Sequence, residues 1–105
     1  MNYAQAKELL GTKSLKKVDH NTHLRMEDGN AVICLWGTDV VSIAPDDTYT
    51  LHSGGYQTVT TKDRLNKFSP ARVYQDKGIW YIYEGDNRVL FIEGIRVNSD
   101  GMVIG

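Results

Sequence analysis

Turn-forming residues recur about every 6 to 12 positions from Asp28 to Gly54-Gly55, and again from Lys77 through Gly94 to Gly101, which leaves room only for short secondary-structure elements in these regions. Most of these turns contain glycine, which reaches the left-handed backbone conformations that tight hairpins need. The predicted turns are Asp28-Gly29, Gly37-Thr38-Asp39, Pro45-Asp46-Asp47, Lys77-Gly78, Gly85-Asp86-Asn87 and Asp100-Gly101. Turns at this spacing are typical of a β-meander, a barrel or a roll.

The segments between the turns carry the patterns of strands, with two exceptions that predict helices. Residues 2–10 favour a helix because Asn2 can cap its start and Gly11 can end it. A second, short helix is predicted over residues 61–67, ended by Pro70. The lysines between residues 13 and 17 are interpreted as a solvated linker. Strands are predicted over residues 22–27, 31–36, 40–44, 48–52, 72–76, 79–84, 88–92, 95–98 and 102–104.

These elements predict a mainly β fold, either an antiparallel β roll or a partly open barrel of about eight short strands. The N-terminal helix would cover one end, and the short middle helix would interrupt the strands. We expect residues 31–36 and 79–83 to be the most buried strands, with Trp36 and Trp80 in the core. Cys34 lies in the most apolar run of the chain and is predicted to be a buried, unreactive thiol.

Length and composition predict a single soluble domain over residues 1–105, with 41% hydrophobic and 24% charged residues. No segment approaches the ~18 apolar residues of a membrane helix, and the first residues lack a signal-peptide pattern. We therefore expect a cytoplasmic protein without membrane contact. Twelve basic and 13 acidic residues give a net charge of −1, which argues against non-specific nucleic-acid binding.

The chain contains residue types that can carry catalysis or bind metals, but they do not occur in a known catalytic or metal-binding pattern. His20 and His23 are three positions apart, so on an extended segment they point to opposite faces and do not share a zinc ion. The sequence Ser53-Gly54-Gly55 matches neither a nucleophile elbow nor a P-loop. We predict that the protein is not an enzyme and has no catalytic residues, no metal site and no cofactor.

Residues 53–66 contain the candidate ligand or partner site: Gly54, Gly55, Tyr56, Thr60, Thr61, Lys62 and Arg64. The glycines permit a turn, and Thr60 or Thr61 can cap a helix that carries Lys62 and Arg64 in its first turn. Thr60 and Asp63 are three positions apart, which resembles a capping box. Amide groups at a helix start, beside cations, can bind phosphate, while Tyr56 stacks on a base. In the structural alternative, Arg64 instead pairs with an internal carboxylate and joins two chain segments.

Aromatic residues elsewhere offer a further alternative. Tyr81 and Tyr83 share one face of a strand and Trp80 lies on the other. Such aromatics near cations can stack bases, fill a small core or anchor a protein interface. The neighbouring strands add Tyr49, Tyr56, Tyr74 and Trp36, and the flanking cations are Arg72, Lys77 and Arg88. The pattern leaves open whether Tyr56, Tyr74 and Tyr83 are exposed.

Three stretches, residues 35–41, 47–51 and 53–66, together with Gly78-Ile79-Trp80-Tyr81, resemble a pattern in small accessory proteins of tailed bacteriophages. The resemblance covers about residues 22–83, and its most specific part is the Gly-Gly-aromatic-x-Thr-x-Thr-Thr-Lys-x-Arg stretch from Gly54 to Arg64. The resemblance implies a context rather than a mechanism, namely an accessory protein in the cytoplasm of an infected bacterium.

In that context we expect the protein to bind a host bacterial protein and to inhibit a host defence nuclease or another nucleic-acid enzyme. The alternative function is binding of a nucleotide or a single nucleic-acid strand through residues 53–66. The sequence leaves the oligomeric state open.

Overall fold

A computed structural model describes all 105 residues, which form two helices and nine strands. In chain order the elements are α1 (Tyr3–Leu10), β1 (Lys16–Asp19), β2 (Thr22–Glu27), β3 (Asn30–Leu35), β4 (Thr38–Ile43), β5 (Tyr49–Leu51), α2 (Val59–Phe68), β6 (Val73–Asp76), β7 (Ile79–Glu84), β8 (Asn87–Leu90) and β9 (Ile95–Val97). The prediction of a mainly β fold with an N-terminal and a short middle helix is confirmed.

The strands form two antiparallel sheets, neither of which closes into a barrel. The larger sheet has six strands in the order β1-β2-β3-β4-β5-β9, and the smaller has three in the order β6-β7-β8. Helix α2 joins them, since it packs on β3 and β4 of the larger sheet and on β6 of the smaller one. The Asn66 side chain reinforces this junction by donating to the Val73 carbonyl (2.9 Å) and accepting from the Val73 amide (2.6 Å).

Local sequence chemistry explains the elements that were predicted correctly. The Asn2 side chain accepts from the Gln5 amide, while the Gln5 side chain accepts from the Asn2 amide, so α1 begins with a capping box. Gly11 follows with a positive φ of 59° and ends the helix. Asp28 and Gly29 both adopt positive φ values in the two-residue turn between β2 and β3.

Two segments differ from the prediction because their own residues do not show whether they pair with a neighbouring strand. Lys16 and Lys17 belong to β1, which pairs with β2 at the edge of the larger sheet, and are not a linker. Lysines on an edge strand discourage pairing with further chains. Residues 102–104 form no strand and contribute a single bridge, from Val103 to Val97.

One cluster of 20 buried apolar residues draws on both helices and both sheets. Strand β3 is deeply buried, as predicted, with Ala31, Ile33 and Leu35 in the cluster. Strand β7 is buried on only one face: Trp80 and Ile82 point inward, whereas the other face is open to solvent. The prediction that residues 79–83 form one of the two most buried strands is therefore wrong, because no element covers the outer face of the smaller sheet.

Two further core assignments are wrong. Trp36, predicted to be in the core, lies outside it and is 64% exposed. Cys34 is half-buried, and its partial burial together with the negative charge of Asp39 raises the pKa of its thiol.

Neither helix has the length and apolar character needed to span a membrane.

Candidate functional site

A pocket of about 250 Å³ lies between the β3–β4 turn, the loop after β5 and the start of α2. Leu35 and Val40 give it a buried apolar floor, while Trp36 and Tyr56, which are 64% and 65% exposed, form its rim. Hydroxyl groups complete the lining, at Thr38, Ser53, Thr58 and Thr61. The volume is below the roughly 300–1,000 Å³ of pockets that hold drug-sized ligands, so this Trp36–Tyr56 pocket suits a single inserted side chain.

The backbone at Trp36 is unusual for so large a residue. Trp36 and Gly37 form a two-residue turn with φ values of 50° and 83°. That turn type favours Asn, Asp and Gly, and the left-handed conformation costs other residues roughly 1–2 kcal/mol. The other non-glycine residues with positive φ are Asn21, Asp28, Asp47 and Lys77.

The side chain of Trp36 gains little from the fold in return for this strain. The indole lies largely in solvent, and its N–H has no hydrogen-bond partner within the chain. Strained residues that folding does not explain are concentrated at binding and active sites. The position of Trp36 therefore points to a contact outside the chain.

The glycine turn next to the pocket already binds an anion, but that anion belongs to the chain itself. The Glu93 carboxylate accepts from the Ser53 amide (2.8 Å), the Ser53 hydroxyl (2.7 Å) and the Gly54 amide (2.7 Å). The Gly55 amide donates to the Ser53 hydroxyl at 3.2 Å. The amides of Ser53 and Gly54, the latter a predicted phosphate-binding residue, thus stabilise the junction between residues 53–55 and the chain leading to β9.

Helix α2 begins two residues earlier than predicted, and its cap is different. Thr58 has an extended backbone (φ −103°, ψ 165°), and its hydroxyl accepts from the Thr61 amide at 3.1 Å. The predicted cap at Thr60 or Thr61, and the capping box between Thr60 and Asp63, are therefore wrong. Asp63 pairs with Arg64 instead of with the helix start.

Arg64 is 8% exposed, and its guanidinium joins α2 to the turn between β1 and β2. Nε donates to the Thr22 hydroxyl (2.8 Å) and a terminal nitrogen donates to the His20 carbonyl (3.0 Å). The other terminal nitrogen contacts Asp63 and lies 3.7 Å from Asp19. Arg64 thus joins two chain segments, as in the structural alternative, but it does so through a hydroxyl and a carbonyl, and the carboxylates that it contacts are not buried.

The seven predicted site residues are thus only partly brought together. Tyr56 and Thr61 line the pocket, while Gly54 and Gly55 lie in the turn beside it. Lys62 is half-buried without an ion pair, Thr60 is half-buried, and Arg64 is engaged elsewhere. The sequence analysis missed the other side of the pocket.

The pocket residues on that side, which the sequence analysis did not predict, are Leu35, Trp36, Thr38 and Val40. One turn signal in the sequence could have pointed to them. Trp36-Gly37 stands between two runs of strand-forming residues, which is the spacing of a two-residue hairpin turn. Such a turn places Trp36 at the surface rather than in a strand.

The family described as Kyanoviridae Gp96 protein matches residues 2–98, a range that includes both sheets and the entire Trp36–Tyr56 pocket. The chain belongs to this family. The Gp96 family is one of cyanophage proteins, so the resemblance to small tailed-phage proteins is confirmed. No curated protein and no solved structure matches this Gp96 family member.

Proposed function

We propose that this Gp96 family member is a non-catalytic protein that binds a host protein through the Trp36–Tyr56 pocket. The observation that carries the proposal is an exposed tryptophan, held in a strained turn, beside a second exposed aromatic over an apolar floor. Tryptophan and tyrosine are enriched among the residues that dominate protein interfaces, where a pocket on one partner receives a side chain of the other.

The groups near the pocket favour a protein side chain over a phosphate. The amides of Ser53 and Gly54 already bind Glu93, and Arg64 is engaged with the β1–β2 turn. Lys62 is the cation of the predicted site that forms no ion pair. A phosphate bound by the amides of Ser53 and Gly54 would have to displace the Glu93 carboxylate, which accepts hydrogen bonds from three donors there.

Residues around the pocket can add enough contact area for an interface of ordinary size. Val59, the first residue of α2 and the neighbour in sequence of the pocket residue Thr58, is 79% exposed. A stable complex buries about 800 Å² on each partner, which extends well beyond the pocket itself. In its most concrete form, the proposal is that this surface covers and inhibits a host defence nuclease or another host nucleic-acid enzyme.

Capture from a nuclease-treated cyanobacterial lysate tests the proposal. The tagged wild-type protein is expected to retain a host protein in stoichiometric amount, and the Trp36→Asn variant to lose it. Asparagine suits the left-handed turn, so the fold should be kept or slightly stabilised. Tyr83→Thr, which removes an exposed aromatic far along the chain, is the matched control and should retain the partner.

Two outcomes would contradict the proposal. One is equal recovery of the partner by wild-type protein and Trp36→Asn, which would place the interface elsewhere. The other is recovery of no host protein, together with salt-sensitive binding of a labelled nucleotide that Lys62→Ala abolishes. That second result would favour the alternative function of residues 53–66.

A further inference from the structure

The outer face of the smaller sheet carries a row of tyrosines that the proposed function does not use. We name the residues Arg72, Tyr74, Tyr81, Tyr83 and Arg88 the tyrosine face. Tyr74 stands opposite Tyr81, and Tyr83 stands opposite Arg88. Arg72 extends β6 by one position, since its carbonyl accepts from the Tyr83 amide at 2.9 Å. One row across the sheet therefore reads Arg72, Tyr83, Arg88, with a tyrosine between two arginines.

Contacts within the tyrosine face hold its rings in place. The ring centroids of Tyr74 and Tyr81 are 5.9 Å apart, and those of Tyr74 and Tyr83 are 6.2 Å apart with a 67° angle between the ring planes. The Arg88 guanidinium lies 4.0 Å above the centre of the Tyr81 ring. Tyr83 is 44% exposed and keeps part of its ring open to solvent. The face thus offers solvent a tyrosine ring and an arginine plane in fixed positions.

The tyrosine face and the turns beside it carry cations that could contact phosphates, together with several carboxylates. Arg72 and Lys77, which lies in the β6–β7 turn, form no ion pair, and Arg88 pairs with Asp76 at 2.8 Å. Asp76 is the carboxylate on the face, and Asp86 lies in the turn beyond Tyr83. Arg72 and Lys77 are therefore the unpaired cations beside the exposed rings, while Glu84 and Asp100 lie near Arg72 and Tyr83.

The size of the face distinguishes between possible occupants. Three strands spaced about 4.8 Å apart, the longest of them six residues, present a surface of only a few hundred Å². A second copy of the chain needs about 800 Å² on each partner for a stable dimer. Two or three stacked bases, in contrast, fit on the aromatics of one small sheet.

From these observations we infer that the tyrosine face binds a short stretch of single-stranded nucleic acid, independently of the Trp36–Tyr56 pocket. Tyr83 stacks on one base, and the outward plane of Arg88, supported by Tyr81, stacks on its neighbour. Arg72 and Lys77 contact the adjoining phosphates. Stacking of this kind reads no sequence, because every base has an aromatic face.

Fluorescence anisotropy with labelled oligo-dT and oligo-rU, each ten nucleotides long, tests the inference and separates DNA from RNA. Binding of at least one probe is expected to weaken as salt rises, with a shallow slope of about −1 to −2 on a log–log plot because only two or three cations take part. Tyr83→Ala should weaken binding about 5- to 150-fold, the loss of one stacked base. Arg72→Ala, which removes a solvent-exposed cation, should reduce both the affinity and the salt slope.

Two controls keep the result interpretable. Tyr83→Phe should retain binding, since the ring is kept, and Tyr56→Ala, which alters the pocket, should leave binding unchanged. Thermal unfolding confirms that each variant is folded. Absence of binding to both probes, or equal affinity of Tyr83→Ala and wild type, overturns the inference. A concentration-dependent dimer in sedimentation that Tyr83→Ala abolishes also overturns it, because the face would then be an interface between copies.

Discussion

The outer faces of the two sheets are made of different residues, although their inner faces share one core. On the larger sheet, Arg25 bonds to both carboxylate oxygens of Asp39 at 2.8 Å and to Glu27 at 2.6 Å. On the smaller sheet, the equivalent surface carries Tyr74, Tyr81 and Tyr83. A solvated, ion-paired face is what folding alone requires of a sheet with one buried side.

This difference distinguishes surface residues that folding explains from surface residues that are available to bind a partner. On the larger sheet, the cluster of Arg25, Glu27 and Asp39 is already paired within the chain and needs no partner. The tyrosine face leaves apolar ring surface in water, as does the Trp36–Tyr56 pocket, and exposed apolar patches of this kind mark interaction sites. Both candidate binding surfaces therefore consist of side chains that the core does not need.

The largest expected effects test whether the inner faces do form one core. Ile33 and Ile82 lie on the inner faces of different sheets, and both are fully buried. Ile33→Ala and Ile82→Ala are each expected to destabilise the protein by roughly 2–5 kcal/mol, because each leaves a cavity. Urea unfolding followed by fluorescence measures both. Ile79→Ala, on the exposed side of β7, is the control, and a two-step unfolding curve for Ile82→Ala would show that the sheets unfold separately.

A smaller effect is expected where α2 joins the sheets. Arg64→Ala should lower the free energy of unfolding by about 1.5–3 kcal/mol, because the buried Thr22 hydroxyl and the His20 carbonyl lose a charged donor. Lys62 is the fourth residue of the same helix and forms no ion pair. Lys62→Ala should therefore change the free energy of unfolding by about 0.5 kcal/mol or less. Equal melting temperatures for the two variants would show that Arg64 is not structural.

The outer faces should contribute less still. Tyr83→Thr and Arg25→Thr are each expected to change the free energy of unfolding by less than about 1 kcal/mol, since both side chains reach solvent and threonine suits a strand. Thermal unfolding of the two variants measures this. A loss of stability of several kcal/mol in Tyr83→Thr alone would mean that the tyrosine face serves the fold rather than a ligand.

The smallest effect concerns pH. The hydrogen bond from Arg25 lowers the pKa of Asp39 below its usual 3.8, so this pair stabilises the folded state above about pH 4. The stabilisation is lost as the pH falls through the lowered pKa, and solvent screening keeps it below about 1 kcal/mol. Urea midpoints between pH 5 and pH 2.5 should fall more steeply for wild type than for Arg25→Ala. Asp19 and Asp46, whose pKa values are also lowered, are present in both proteins, so parallel curves would exclude the Arg25–Asp39 contribution.

The candidate site was only half visible in the sequence, for an identifiable reason. Tyr56 and Thr61 lie in a segment whose glycines and threonines attract attention, and both line the pocket. Trp36 was assigned to the core because it follows an apolar run, and periodicity alone does not reveal where a strand ends. The partner of the Ser53–Gly54 amides, Glu93, is 39 residues from Gly54, a separation at which no local pattern indicates contact.

Local chemistry by itself determined helix α1, several of the hairpin turns and most strand positions. Asn2 and Gly11 set the limits of α1, and Asp28-Gly29 favours the left-handed turn between β2 and β3 whatever surrounds it. Tertiary structure alone decided which strands pair, which faces stay open and which polar groups meet. Those outcomes depend on contacts between residues that are distant in sequence, such as the hydrogen bond from Arg64 to Thr22. Such contacts stabilise the protein only after folding has brought the two residues together.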